Sequence, residues 1–199
     1  VYSQKDEEKY FLEYFGEFKG RILEIGAFHP EVFSNSRALI LQGWEAVLVE
    51  PSSKCIKVIE EFYKNDDKVK VVEAAIGEYN GFMKFYDSAG ACATGVKEHY
   101  NRWKNIQLDY KETMVKCITW DTFYKEYPGM YHILSIDAEG MDYSILKQIN
   151  LEETGTKLIC IEYGYKAKEI NSYFIRNGFT KLLYQNGENV IVAKGEIIC

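Results

Sequence analysis

The residues that could do chemistry are carboxylates set near the ends of short apolar runs. Glu50 follows Ala46, Val47, Leu48 and Val49, and Asp137 follows Ile133, Leu134 and Ile136. Glu162 closes the run from Lys157 to Tyr163, and Glu24 stands two residues before Gly26. An acid directly after four apolar strand residues needs something that accepts its charge; at Glu50 that can be both hydroxyls of a ribose. Asp137 is the first candidate for taking a proton from a hydroxyl, with Glu139 as its partner. Asp137 and Glu162 could converge on a hard divalent cation. Strand-end acids are common without one, and the sequence assigns no metal. His29 could be an alternative base but reads better as a satisfied loop histidine. His99, Arg102 and Trp103 could form a lid over an acceptor or an exposed helix turn. His132 looks structural, and Asp142 reads as a helix-dipole partner.

These acids need a scaffold, and its centre is the stretch from Arg21 to Pro51. Ile22, Leu23 and Ile25 form a strand that breaks at Gly26. The spacing of Val32, Leu39 and Ile40 predicts a helix over Val32 to Gln42, stopped by Gly43, before the strand that ends at Glu50. A β-α-β unit with glycine at its first turn is where α/β proteins place a nucleotide-like ligand.

Residues 4 to 18 carry an aromatic stripe that predicts an amphipathic helix, and Ser53 to Asn65 reads as another helix. A third strand is expected from Val69 through Ala74, Ala75 and Ile76 to Gly77. Phe82 to Tyr86 reads as a strand, and residues 87 to 113 as a long irregular insertion near the site. Met114 to Trp120 is strand-like, Asp121 could cap a short helix, and a helix after Gly140 follows the strand that ends at Asp137. Ala167 to Asn177 is a last helix closed by Gly178. Asn186-Gly187 between two strand patterns predicts a hairpin. The expected architecture is α/β: a Rossmann-like, mostly parallel sheet with helices on both faces and an antiparallel C-terminal hairpin, over residues 1–199 as a single domain.

The chain has 199 residues, 47% hydrophobic and 27% charged, as in ordinary globular proteins. A net charge of −6 disfavours nucleic acid as a partner, and no apolar run is long enough to span a membrane. The five cysteines are scattered without a C-x-x-C pair, which fits a reducing cytoplasm.

Five short motifs occur in a fixed order: E-I-G-A at Glu24 to Ala27, S-N-S at Ser34 to Ser36, G-W then L-V-E-P at Gly43 to Pro51, A-A-I-G at Ala74 to Gly77, and S-I-D-A-E-G at Ser135 to Gly140. With these motifs the sequence resembles the FkbM-type methyltransferases, which depend on S-adenosyl-L-methionine (SAM), over roughly residues 20 to 194. The resemblance implies a seven-stranded sheet and SAM as cofactor. It implies that Glu24, Gly26, Ala27 and Phe28 line the methionine and ribose, that Glu50 and Pro51 hold the ribose, and that Asn35 reaches the cofactor's carboxylate. It also implies that Ala75 and Ile76 flank the adenine, and that Asp137 and Glu139 face the transferred methyl. The acceptor it implies is a small-molecule or saccharide hydroxyl. Phe28-His29-Pro30 departs from the family's usual turn and motivates a competing reading, a SAM- or nucleotide-binding module without turnover. An NAD-dependent oxidoreductase fits less well, because G-x-G-x-x-G is absent.

Overall fold

The structure is a computed structural model and describes residues 1–88, 91–105, 109–164 and 166–195. Its elements run α1 (Glu7–Phe15), β1 (Arg21–Ile25), α2 (Arg37–Leu41), β2 (Glu45–Glu50), α3 (Ser53–Tyr63), β3 (Val69–Glu73), β4 (Ala75–Ile76) and β5 (Gly81–Asp87). They continue α4 (Lys97–Trp103), β6 (Lys111–Ile118), α5 (Trp120–Glu126), β7 (Ile133–Ile136), α6 (Asp142–Leu146), β8 (Leu158–Glu162), α7 (Ala167–Arg176), β9 (Lys181–Gln185) and β10 (Asn189–Ala193). The main sheet has seven strands in the order β3-β2-β1-β7-β8-β10-β9. Strands β3, β2, β1, β7 and β8 are parallel, whereas β10 runs antiparallel between β8 and β9.

Period-two alternation in the sequence divides the core between the two faces of this sheet. Leu23, Ile25, Val47, Val49, Leu134, Ile136, Ile159 and Ile161 pack on one face with Phe123 of α5, Ile145 and Leu146 of α6, and Ile170 and Phe174 of α7. Ile22, Ala46, Leu48, Ile133, Leu158 and Cys160 pack on the other with Phe11 of α1, Leu39 of α2 and Ile59 of α3. Both faces are covered, so the central strands read as continuous apolar runs. The hairpin forms as its sequence predicts: Asn186 Oδ1 accepts the Glu188 and Asn189 N–H groups at 2.7 and 2.6 Å.

Four expectations are corrected. The helix expected over Val32 to Gln42 is confined to Arg37–Leu41. Ahead of it, His29 Nδ1 accepts the Glu31 and Val32 N–H groups (3.1 Å each), Ser34 Oγ accepts from Arg37 N–H (3.2 Å), and Phe33 adopts a left-handed φ of 59°. Side chains thus take the donors a longer helix would need. The third strand does not run through to Gly77. It ends at Glu73, Ala74 N–H turns back onto the Val72 carbonyl (3.1 Å), and Ala75 and Ile76 pair with Cys117 and Ile118 in a second sheet, β4-β6-β5. The insertion at 87 to 113 contains the ordered helix α4, with residues 89, 90 and 106–108 outside the described ones. The cap of α5 is Thr119, whose side chain accepts from Thr122 N–H, and not Asp121. Among the described residues no helix is long and apolar enough to cross a membrane.

Candidate active site

The carboxyl ends of β1, β2 and β7 open on two adjoining cavities. The smaller, about 60 Å³, is walled by Val49, Glu50, Pro51, Ala74, Ala75, Ile76, Met83, Phe85, Met141 and Ile145. The larger, about 470 Å³, is polar, with Asn35, His99, Arg102, Glu162 and Glu188 in its wall. Gly26, Phe28, Asp137 and Glu139 line both. Of the residues singled out from sequence, Gly26, Phe28, Asn35, Glu50, Pro51, Ala75, Ile76, Asp137 and Glu139 therefore border one continuous cleft.

Glu24 and Ala27 border neither cavity. Ala27 is buried among Phe11, Leu39 and the β1–β2 side chains, and its N–H, like that of Gly26, donates to the Val49 carbonyl. Glu24 points into the protein and accepts the Asn35 N–H through Oε1 at 2.7 Å, so it orients Asn35 rather than lining the cleft. The Asn35 amide nitrogen donates to Ser135 Oγ (2.9 Å); among the described residues its buried Oδ1 has no hydrogen-bond partner, and neither has Glu24 Oε2. Asn35 lies two residues before α2, a helix of only five residues, so no helix N-terminus supports the expected contact between Asn35 and the cofactor's carboxylate.

Gly26 is fixed by its surroundings. Its φ is +86°, and a Cβ added there would meet the Asp137 carbonyl oxygen at 1.8 Å. Asp137 N–H donates to the Ile25 carbonyl (2.9 Å), so the turns after β1 and β7 are locked together. Glu50 is buried, its Oε2 accepting from Phe28 N–H (3.0 Å) and Oε1 from Ser52 N–H (2.8 Å). Each oxygen keeps a further acceptor position. Burial pushes both Glu24 and Glu50 up to about 7.

The loop after β7 is organised by Asp142, so this acid does more than complement a helix dipole. Its carboxylate accepts from Ala138 N–H (2.7 Å) and Gly140 N–H (3.0 Å), and burial raises it to about 6 against those hydrogen bonds. Thr94 donates to the Glu139 carbonyl (2.9 Å), and Glu139 adopts a left-handed φ of 48°. A strained residue at a cleft is a common companion of function. The spacing Asp137, Gly140, Asp142 carried the signal, since a short acid just after a glycine turn often accepts that turn's N–H groups.

His99 does not lie on an exposed turn. It is 5% exposed on α4, with Nδ1 3.0 Å from Glu139 Oε2, an interaction that raises its pKa. Arg102 borders the larger cavity with it, while the Trp103 side chain lies outside the described residues. Asp137 and Glu162 do converge. Burial, with Glu139, Asp142 and Glu162 nearby, lifts Asp137 well above the usual carboxylate range. Glu162 is pushed to about 8 by burial, then by Asp142 and Glu139. His29 holds the loop as described, and His132 Nδ1 accepts from Arg21 N–H (3.2 Å).

The model of the methyltransferase FkbM domain matches residues 24–182, most of the chain. The chain belongs to the FkbM methyltransferase domain family. The family is SAM-dependent, so SAM is the cofactor and the fold is the seven-stranded one described above. Among solved structures, the FkbM methyltransferase from Methylobacillus flagellatus KT superimposes with a TM-score of 0.58 at 11% identity, over 96% of this chain and 56% of that one. The METTL16 methyltransferase domain matches with a TM-score of 0.51 at 12% identity, over 94% of this chain and 64% of that one. At such identities the likeness is one of fold, and this chain spans less than two thirds of either protein. No curated protein matches the sequence.

Proposed function

We propose that this FkbM-family chain transfers a methyl group from SAM to a hydroxyl of a small molecule or saccharide. The observation that carries the reading is the single cleft in which Glu50, Ala75, Ile76 and Asp137, drawn from β2, β4 and the end of β7, face one another. SAM supplies a methyl group on a cationic sulfonium. In this reading the apolar slot around Ala75, Ile76 and Phe85 takes the adenine, and Glu50 accepts from the ribose hydroxyls beside Pro51. The slot is tighter than a purine needs, so Met83, a flexible side chain in its wall, must turn aside on binding. The partnerless acceptor of Asn35 suits the ammonium of the methionine; a carboxylate there would require a donor.

In this reading Asp137 is the base. The hydroxyl oxygen forms a bond to the methyl carbon, the carbon–sulfur bond breaks with its electron pair on sulfur, and the hydroxyl proton passes to Asp137. Burial, then the neighbouring acids, give this carboxylate a high proton affinity, and the positive charge of a bound sulfonium offsets both so that it can be ionised. Glu139, held by Thr94 and His99, assists from the same turn. The acidic larger cavity favours neutral or cationic acceptors over polyanions. A screen of polyhydroxylated acceptors reading S-adenosylhomocysteine (SAH) release tests the assignment. Turnover is expected in the wild type and should fall at least a hundredfold in Asp137→Asn, with SAH still bound. SAH binding without turnover on any acceptor would favour the binding-module reading.

A further inference from the structure

A second constellation lies in the larger cavity. His99 on α4, Glu139 in the turn after β7 and Glu162 at the end of β8 each present a donor atom, and these atoms lie within 4.8 Å of one another. The three residues are far apart in sequence, and only the fold brings them together. Nδ1 of His99 is 3.0 Å from Glu139 Oε2. Oε2 of Glu162 is buried and has no hydrogen-bond partner among the described residues. Buried carboxylate oxygens are nearly always matched by a donor or a cation, so an unmatched one beside an imidazole and a second carboxylate is suited to hold a cation.

We propose that His99, Glu139 and Glu162 bind one divalent transition-metal cation of the Mn²⁺ or Zn²⁺ kind. One imidazole nitrogen and two carboxylate oxygens form a mixed donor set that suits such ions. Ca²⁺ prefers oxygens throughout, and Mg²⁺ keeps most of its water. Opposite ligands of such an ion stand about 4 Å apart, so small side-chain movements close the site. A rival set, Asp137, Asp142 and Glu162, shares one member. It is the poorer choice for such an ion because it offers three carboxylates and no imidazole, and Asp142 is already engaged in holding the turn's N–H groups. Three protein ligands leave positions open to the cavity. On the methyl-transfer reading, an acceptor hydroxyl bound there would sit beside Asp137 and lose its proton more readily.

Metal-stripped protein titrated with MnCl₂, with free Mn²⁺ followed by its electron paramagnetic resonance signal, tests the site. The expected result is one saturable site from which ZnCl₂ displaces Mn²⁺, with affinity at least tenfold weaker in Glu162→Gln and in His99→Asn. Melting curves of the metal-free variants separate loss of a ligand from loss of fold, and a variant that does not fold leaves the other to decide. No saturable binding by the wild type, or undiminished binding in a folded variant, overturns the proposal. Titrating SAH into the same samples separates the two readings. Saturable Mn²⁺ without SAH binding keeps the cation site and removes methyl transfer, and the converse result does the opposite.

Discussion

Adding one methyl group at Gly26 should disable this protein more than any other single-carbon change in the cleft. The Cβ of Gly26→Ala would lie 1.8 Å from the Asp137 carbonyl oxygen and 2.9 Å from its carbon, both backbone atoms, so no side chain can rotate away. The position also has a φ of +86°, which costs an alanine about 1–2 kcal/mol. Forcing the turns after β1 and β7 apart adds about 1–3 kcal/mol of overpacking. The sum, about 2–5 kcal/mol, corresponds to a fall in melting temperature of about 4–20 °C for a chain of this size. Circular dichroism melting measures it, with Gly187→Ala as the control because no described residue lies within 4 Å of a Cβ there. SAH affinity should fall in parallel, since the displaced carbonyl belongs to Asp137. A Gly26→Ala protein that melts with the control and binds SAH normally would refute the locked-turn geometry.

The remaining predictions concern the acids. Asp142→Asn keeps one acceptor for the two N–H groups of the Asp137–Gly140 turn and should cost about 1–3 kcal/mol. Acceptor-dependent SAH release should drop more than SAH affinity, and equal losses would argue against a turn-positioning role. Glu24 is held at about 7 against an ordinary 4.5, so the fold disfavours its ionised form. Its contribution to stability is full below pH 4.5 and is lost as pH rises through 7, a change of about 3 kcal/mol. The melting temperature of wild type minus that of Glu24→Gln should therefore decline from pH 5 to pH 8, and a constant difference would contradict the burial argument.

The sheet was legible because its strands are buried on both faces and announce themselves as apolar runs with acids at their carboxyl ends. The hairpin was legible because Asn186-Gly187 has few other uses. The sequence misled where local side chains outcompete the backbone: His29 and Ser34 take the donors that a helix from Val32 would have used. Splitting of the third strand at Ala74 left no mark, since Ala74, Ala75 and Ile76 are as apolar as a strand should be. At the site, Glu50 and Asp137 were visible as acids that an apolar run delivers to an edge. Ala27 was not separable from its lining neighbours, because a turn's inner and outer residues look alike in sequence. His99 was obscured for another reason: its partner Glu139 lies forty residues away.

Calorimetric titration of SAM into the wild type and Glu50→Gln tests the cleft assignment most directly. Replacing the carboxylate that receives the ribose hydroxyls should leave a folded protein whose affinity is about tenfold to a hundredfold weaker than the wild type. A wild type that takes up NADH but not SAM, or a Glu50→Gln protein with full affinity, would contradict the account.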